Sequence, residues 1–204
     1  MSQFVDGIHN VFNNGRLRKI LVSIRLPLVV AGFVFVMSFA EIKWFWYAFV
    51  VSLFGELIQV WCFASLDKKG TLAYNGLYKY VRNPMYLGRF FIVIGYFILL
   101  GLDKTWIWMV ILPLTVVYYL YMWHRVQREE KTLKGVFGQP YLDYCEAVNR
   151  FIPSFRGMAG GKLYFWRWKL LTQNHGPLNF VGMLLSYAAS YTLIKWVFPW
   201  LANL

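Results

Sequence analysis

Five apolar stretches, each close to the roughly 20 residues that a helix needs to cross about 30 Å of hydrocarbon, dominate this chain and leave it few choices of fold. They run from about 24 to 40, 44 to 66, 86 to 102, 106 to 123 and 178 to 201. Backbone groups in lipid must bond within their own segment, so each stretch reads as helix rather than strand. The expected fold is all-α: a polytopic membrane bundle of about five transmembrane helices, with residues 1–204 forming one integral membrane domain. Composition agrees, because charged residues make up 15% of the chain against roughly 25% in soluble domains.

The formal net charge of +12 raises the question of nucleic acid. The charges fall between the apolar stretches and form no folded basic domain with base-stacking aromatics, so no nucleic-acid partner is expected. The positive-inside rule accounts for them instead. If the N-terminus, the 67–85 loop and the 124–177 segment share one side, that side holds 18 of the 21 lysines and arginines. Lys43, Lys104 and Lys195 remain on the other. The long segments are therefore expected in the cytoplasm, and a polar start of some 19 residues argues against a cleaved signal. These features suit a prokaryotic inner membrane. Cys62 and Cys145 suggest no disulfide, and His9, His124 and His175 lie too far apart for a metal-ligand spacing, so no metal is expected.

Residues 124–177 form the largest segment outside the apolar stretches. From His124 to about Gly135 it continues the fourth helix into water, and Phe137 to Arg150 is amphipathic, as expected of an interfacial piece. Met158-Ala159-Gly160-Gly161 is a break without the GxGxxG of a phosphate loop. Leu163 to Lys169 alternates aromatic with basic residues, as a surface-lying anchor does.

Two segments can carry chemistry. In Gly76-Leu77-Tyr78-Lys79-Tyr80-Val81-Arg82-Asn83-Pro84-Met85-Tyr86-Leu87-Gly88, Pro84 suits the first turn of a helix whose unpaired N–H groups could hold an anion. The second contains Arg125, Glu129-Glu130, Leu133, Phe137-Gly138, Tyr141, Tyr144, Arg150 and Pro153. Arg125 and Glu129 are four apart and share a helix face, either as a surface pair or as part of a site. Glu56, inside the second helix, is either functional or paired within the bundle, with Arg89 as a candidate partner.

Together the two segments resemble the isoprenylcysteine carboxyl methyltransferase family, part of a wider superfamily with the phospholipid N-methyltransferases. The resemblance covers about residues 44–153 and leaves the last helix, about 178–201, as an extra element. It implies S-adenosyl-L-methionine as cofactor, S-adenosyl-L-homocysteine as product, and a pocket formed by the cytoplasmic helical segment. Position by position it implies that Tyr78, Asn83, Pro84, Met85 and Tyr86 line that pocket, with backbone contacts from Gly70, Thr71, Leu72 and Ala73. It adds Gln59, Glu129 and Glu130 to the cofactor-binding set, with Glu129 meeting the cofactor's positive charge. Arg125 matches the position facing a substrate carboxylate, so Arg125 and Glu129 are the expected catalytic pair. The implied partners are the bilayer and a lipophilic or prenylated acceptor.

Where the family pattern has His, this chain has Asn83, which hydrogen-bonds but cannot titrate. An acceptor carboxylate needs no base, whereas an amine would look to His124 or Glu130. A phospholipid amine or small thiol is the alternative acceptor. Two further readings are an NADPH-dependent membrane reductase of the sterol reductase type and a non-enzymatic scaffold or transporter subunit. Arg82-Asn83-Pro84-Met85-Tyr86 follows the methyltransferase pattern rather than the reductase one.

Overall fold

The computed structural model describes residues 15–67, 71–154 and 157–204, and these residues form helices and loops without a strand. α1 runs Gly15–Met37, α2 Phe45–Ser65, α3 Pro84–Leu99 and α4 Thr105–Phe137. The shorter α5, Gln139–Ala147, and α6, Trp168–Gln173, precede α7, Gly176–Thr192, which continues through a π turn at Leu193–Val197 into α8, Phe198–Ala202. All five apolar stretches are helical. Three units are long and apolar enough to cross a membrane: Ile42–Ser65, Thr105–Phe137 and Gly176–Ala202. Ser23–Met37 and Pro84–Leu99 are shorter apolar helices. At 1.5 Å per residue, the 16 residues of α3 span about 24 Å.

The expected breaks fall where the backbone demands them. Pro84 occupies the first turn of α3, where its missing N–H costs nothing. The fourth helix does continue past the apolar stretch, for 33 residues in all, and stops at Gly138. There φ is +58°, a conformation that glycine adopts without a Cβ penalty.

Small residues let α2 and α3 pack backbone to backbone, as helices do where lipid removes the hydrophobic drive for association. A Cβ at Gly88 would lie 2.6 Å from the Gly55 carbonyl and 2.8 Å from Gln59 Cγ. α7 joins this pair through the buried Tyr187, whose hydroxyl lies 2.6 Å from Ser52 Oγ and donates to the Ala48 carbonyl at 3.0 Å. Met37, Phe45, Leu99 and Met183 complete an apolar core around it.

At this end of the bundle the two short turns meet. Lys104 Nζ lies 2.7 Å from Glu41 and donates to the Phe39 carbonyl at 2.9 Å, while Lys43 bridges Glu41 and Asp103. The lysines hold both carboxyls below their ordinary range: Lys104 and then Lys43 for Glu41, and Lys43 for Asp103. The sequence expected Lys43 and Lys104 on one side, and they are together.

The opposite end is built from loops clasping each other. Arg82 N–H donates to the Asn149 carbonyl at 3.0 Å, Ser154 N–H to Tyr80 at 2.7 Å and Met158 N–H to Lys79 at 2.8 Å. Asn174 Nδ2 donates to the Phe63 and Leu66 carbonyls at 2.9 and 2.7 Å, fixing the turn before α7 to the end of α2. The segment after Pro153 therefore folds back over the motif-bearing loops.

Candidate active site

The aromatic motif residues create the cavity. Tyr141, Tyr144 and Val148 on and after α5 form a buried cluster against Leu72, Tyr74 and Phe137. The Tyr144 hydroxyl donates to the Tyr78 carbonyl at 2.6 Å, tying α5 to the 3-10 turn at Gly76–Lys79. Burial pushes both phenols above the usual tyrosine range, so at neutral pH they are hydrogen-bond donors and not bases.

Between these elements lies an inner cavity of about 270 Å³, walled by Tyr78, Asn83, Phe137, Tyr141 and Tyr144 and by the strand-like run Thr71-Leu72-Ala73. Asp67 and Arg82 also reach it. An outer compartment of about 420 Å³ shares Asp67, Thr71, Leu72, Ala73 and Phe137 and adds Asn75, Phe165 and Arg167. The inner cavity also shares Leu133 with an open cleft of about 520 Å³ that holds Arg125, Arg128 and Glu129. The three spaces thus adjoin through common lining residues. The outer compartment and the cleft fall within the roughly 300–1,000 Å³ of small-molecule sites, and the inner cavity lies just below it.

Arg125 and Glu129 do share a face: Arg125 Nε donates to Glu129 Oε1 at 3.1 Å. The Tyr86 hydroxyl donates to the same oxygen at 2.7 Å, so the first turn of α3 reaches the extension of α4. Tyr86 also belongs to a fourth, almost wholly apolar pocket of about 210 Å³ between α3 and α4, with Phe90, Tyr118, Met122 and Phe151. The open cleft that holds Arg125 and Glu129 and the apolar pocket lined by Tyr86 are thus joined by the Tyr86–Glu129 hydrogen bond.

Glu130 has a different setting. Arg150 grips it through Nε at 3.1 Å and NH2 at 2.6 Å, Asn83 Nδ2 lies 3.4 Å away and Arg82 NH1 3.5 Å. Asn83 also donates to the Arg150 carbonyl at 3.3 Å. This clamp joins the start of α3, the middle of α4 and the chain after α5.

Among the expected cofactor residues, Thr71, Leu72, Ala73, Tyr78 and Asn83 line the inner cavity. Glu129 stands in the adjoining cleft and Tyr86 beside both. Gln59, Pro84, Met85 and Glu130 are not in the cavity wall. Gln59 is buried in the bundle and donates to Glu56 Oε2 at 3.2 Å, Pro84 faces a second apolar groove with Trp61, and Met85 packs on Phe63 and Leu171. Gly70 lies outside the described residues. Arg89 is not the partner of Glu56, since its guanidinium sits 5.5 Å from the Tyr86 ring centroid. Phe165 and Arg167, read as part of a surface anchor, were not foreseen at the site. Among the described residues no group of His, Cys, Asp and Glu could hold a metal ion.

Fold and site define a class: an integral, all-α membrane protein with an aromatic-walled cavity at one end of its bundle and a separate apolar pocket between α3 and α4. The chain belongs to the phospholipid methyltransferase family, which it matches over residues 21–140. It is also similar to protein-S-isoprenylcysteine O-methyltransferases. With the Rattus norvegicus protein it is 33% identical over 95 residues, covering 45% of this chain and 30% of the relative. With that of Tribolium castaneum it is 35% identical over 111 residues, covering 52% of this chain and 34% of the relative. The chain thus spans about a third of the length of these relatives. No solved structure matches it.

Proposed function

We propose that this protein transfers a methyl group from S-adenosyl-L-methionine to a lipophilic acceptor in the bilayer, the carboxylate of an isoprenylcysteine-like or isoprenoid molecule. The observation that carries this reading is the hydrogen bond from Tyr86, which lines the apolar pocket, to Glu129, which stands with Arg125 in the open cleft next to the inner cavity. Family membership and the names of the relatives support it.

The residues fit the donor. Thr71-Leu72-Ala73 offer backbone groups, Tyr78, Tyr141 and Tyr144 offer aromatic surface, and Asn83 and Asp67 offer polar contacts. When bound, S-adenosyl-L-methionine supplies a methyl group on a positively charged sulfur. Glu129 would face that charge, which is costly to leave unpaired in a low-dielectric site. Tyr86 fixes the Glu129 carboxylate by its hydrogen bond. The forked guanidinium of Arg125 is suited to orient an acceptor carboxylate, and the walls exclude water around the reacting groups. In-line displacement then depends chiefly on positioning.

The setting of Glu130 favours a carboxylate over an amine acceptor. An amine calls for a base, and Glu130 is already held by Arg150 and Asn83. In this reading the 67–85 loop and the 124–177 segment face the cytoplasm, so the donor arrives from water and the acceptor sideways from lipid.

Calorimetric titration of the detergent-solubilised protein with S-adenosyl-L-homocysteine tests the donor site. Micromolar binding that Glu129→Ala abolishes is the expected result, and absence of binding to the folded wild-type protein sinks the reading. Methyl transfer assayed with a prenylated thioether acid and with a phospholipid amine then separates the two acceptors.

A further inference from the structure

The segment that follows Pro153 lies beyond the family match, which ends at residue 140, yet it supplies two walls of the site. From Leu163 to Arg167 the chain is not helical: it bends at Leu163 and Tyr164, where Phe165 N–H donates to the Leu163 carbonyl at 2.9 Å, and it is extended at Arg167. Tyr164 and Trp166 point outward, at 89% and 42% exposed, while Phe165 and Arg167 line the outer compartment. The strap is fixed at both ends. Gly76 N–H donates to the Lys162 carbonyl at 2.8 Å, Lys162 N–H to Asn75 Oδ1 at 2.9 Å and Arg167 N–H to the Ala64 carbonyl at 3.1 Å. Ser65 Oγ donates to the Phe165 carbonyl at 3.0 Å.

Within the compartment the two inward side chains stack on each other, with the Arg167 guanidinium 5.0 Å from the Phe165 ring centroid. A planar ring backed by a planar cation is a surface that nucleobases stack on, whatever their sequence of donors and acceptors. The rim beside it carries Asn75 and Thr71, which can reach the edge of a base. This compartment shares the Thr71-Leu72-Ala73 wall with the inner cavity, whereas the cleft that holds Glu129 adjoins that cavity at Leu133. A donor whose charged sulfur lies toward Glu129 would extend its nucleoside in this direction.

We propose that the outer compartment is the nucleobase subsite of the donor, and that Phe165 and Arg167 are the residues that hold the adenine. The inference rests on the donor reading above and assigns one end of the ligand to residues that the family match does not include.

The test is binding rather than turnover, with two probes: S-adenosyl-L-homocysteine and 5′-methylthioadenosine, which keeps the nucleoside and lacks the amino-acid end. Phe165→Ala is expected to weaken both by about tenfold or more, in keeping with the loss of one stacked base. Phe165→Trp should restore both, and Tyr164→Ala on the outward face should leave both unchanged. Arg167 is exposed, so Arg167→Gln removes the cation without opening the core and should weaken both several-fold. Wild-type affinity for both probes in Phe165→Ala and Arg167→Gln overturns the proposal. So does weakening confined to S-adenosyl-L-homocysteine, which would place the amino-acid end here. If the folded wild-type protein binds neither probe, the donor reading itself fails.

Discussion

The Tyr86 hydroxyl donates to Glu129 Oε1 across 2.7 Å, and this bond links the first turn of α3 to the polar extension of α4. Two elements that are 43 residues apart in the chain meet where the proposed donor and acceptor would also meet. Because Arg125 donates to the same oxygen, the phenol also influences where the guanidinium rests.

Removing that phenol should leave the fold intact and impair the site. A hydrogen bond to a charged group contributes about 1.5–3 kcal/mol, so Tyr86→Phe is expected to lower kcat/KM roughly tenfold to a hundredfold. Glu129→Gln should cost at least as much, and the double variant should cost less than the sum, since both changes break one bond. Steady-state kinetics on the three variants check this, and strict additivity would mean that the bond plays no part.

The clamp around Glu130 predicts a stability defect. Arg150 is about a quarter exposed and Glu130 nearly buried, so Arg150→Ala leaves a carboxylate without its main partner. A loss of about 2 kcal/mol is expected, within the range for hydrogen bonds to charged groups. Thermal unfolding in detergent would show it, and Arg150→Lys should recover only part because a single ammonium cannot reproduce the two-nitrogen contact.

At the other end of the bundle the expected signature is one of pH. Glu41 and Asp103 have carboxyl pKa values below their ordinary 4.5 and 3.8 because of Lys104 and Lys43. A folded pKa below the unfolded one gives stability that is complete above the ordinary value and is lost as pH falls through the lowered one. Melting temperature should therefore be insensitive to this cluster near neutrality and decline in acid below the ordinary carboxylate range. Glu41→Gln should flatten that decline, and high salt should shrink it, since these groups are solvent-accessible.

The glycine seam between α2 and α3 makes the sharpest packing prediction. Gly88→Ala forces a methyl group to within 2.6 Å of the Gly55 carbonyl, so the helices must separate. Overpacking of this kind costs about 1–3 kcal/mol. Gly182→Ala, inside α7 where a Cβ meets nothing within 4 Å, is the matched control and should melt no lower than the wild type, since Ala is the better helix former.

Much of this architecture could be read from the chain. The apolar runs matched the helices and Pro84 marked the start of one, while the fourth helix ran a little past the Gly135 expected for it, to Phe137. The motif tyrosines pointed to the cavity as well, since Tyr78 lines it with Tyr141 and Tyr144. Long-range pairing was harder to see. The partner of Glu56 is Gln59 on its own helix, at a spacing of three, whereas charge alone suggested Arg89. Glu129 and Glu130 are adjacent in sequence and 100° apart around a helix, which is why one faces an open cleft and the other an arginine clamp. The strap misled for a related reason: an anchor shows only its outward side chains, and nothing in the alternation of aromatic and basic residues says that Phe165 and Arg167 meet a cavity.

α4 is only lightly covered by the rest of the protein, with 11% of its most apolar window buried against 50% for the unit containing α2. The apolar pocket between α3 and α4, where the proposed acceptor would sit, is therefore walled on one side by a helix that the rest of the described chain leaves largely uncovered. For the proposed reaction this changes the meaning of concentration. The acceptor would be searched for in two dimensions, so its half-saturation belongs to its mole fraction among the lipids, and diluting the vesicles in buffer should leave the rate per enzyme unchanged. Diluting the acceptor with inert lipid at fixed total acceptor should slow it.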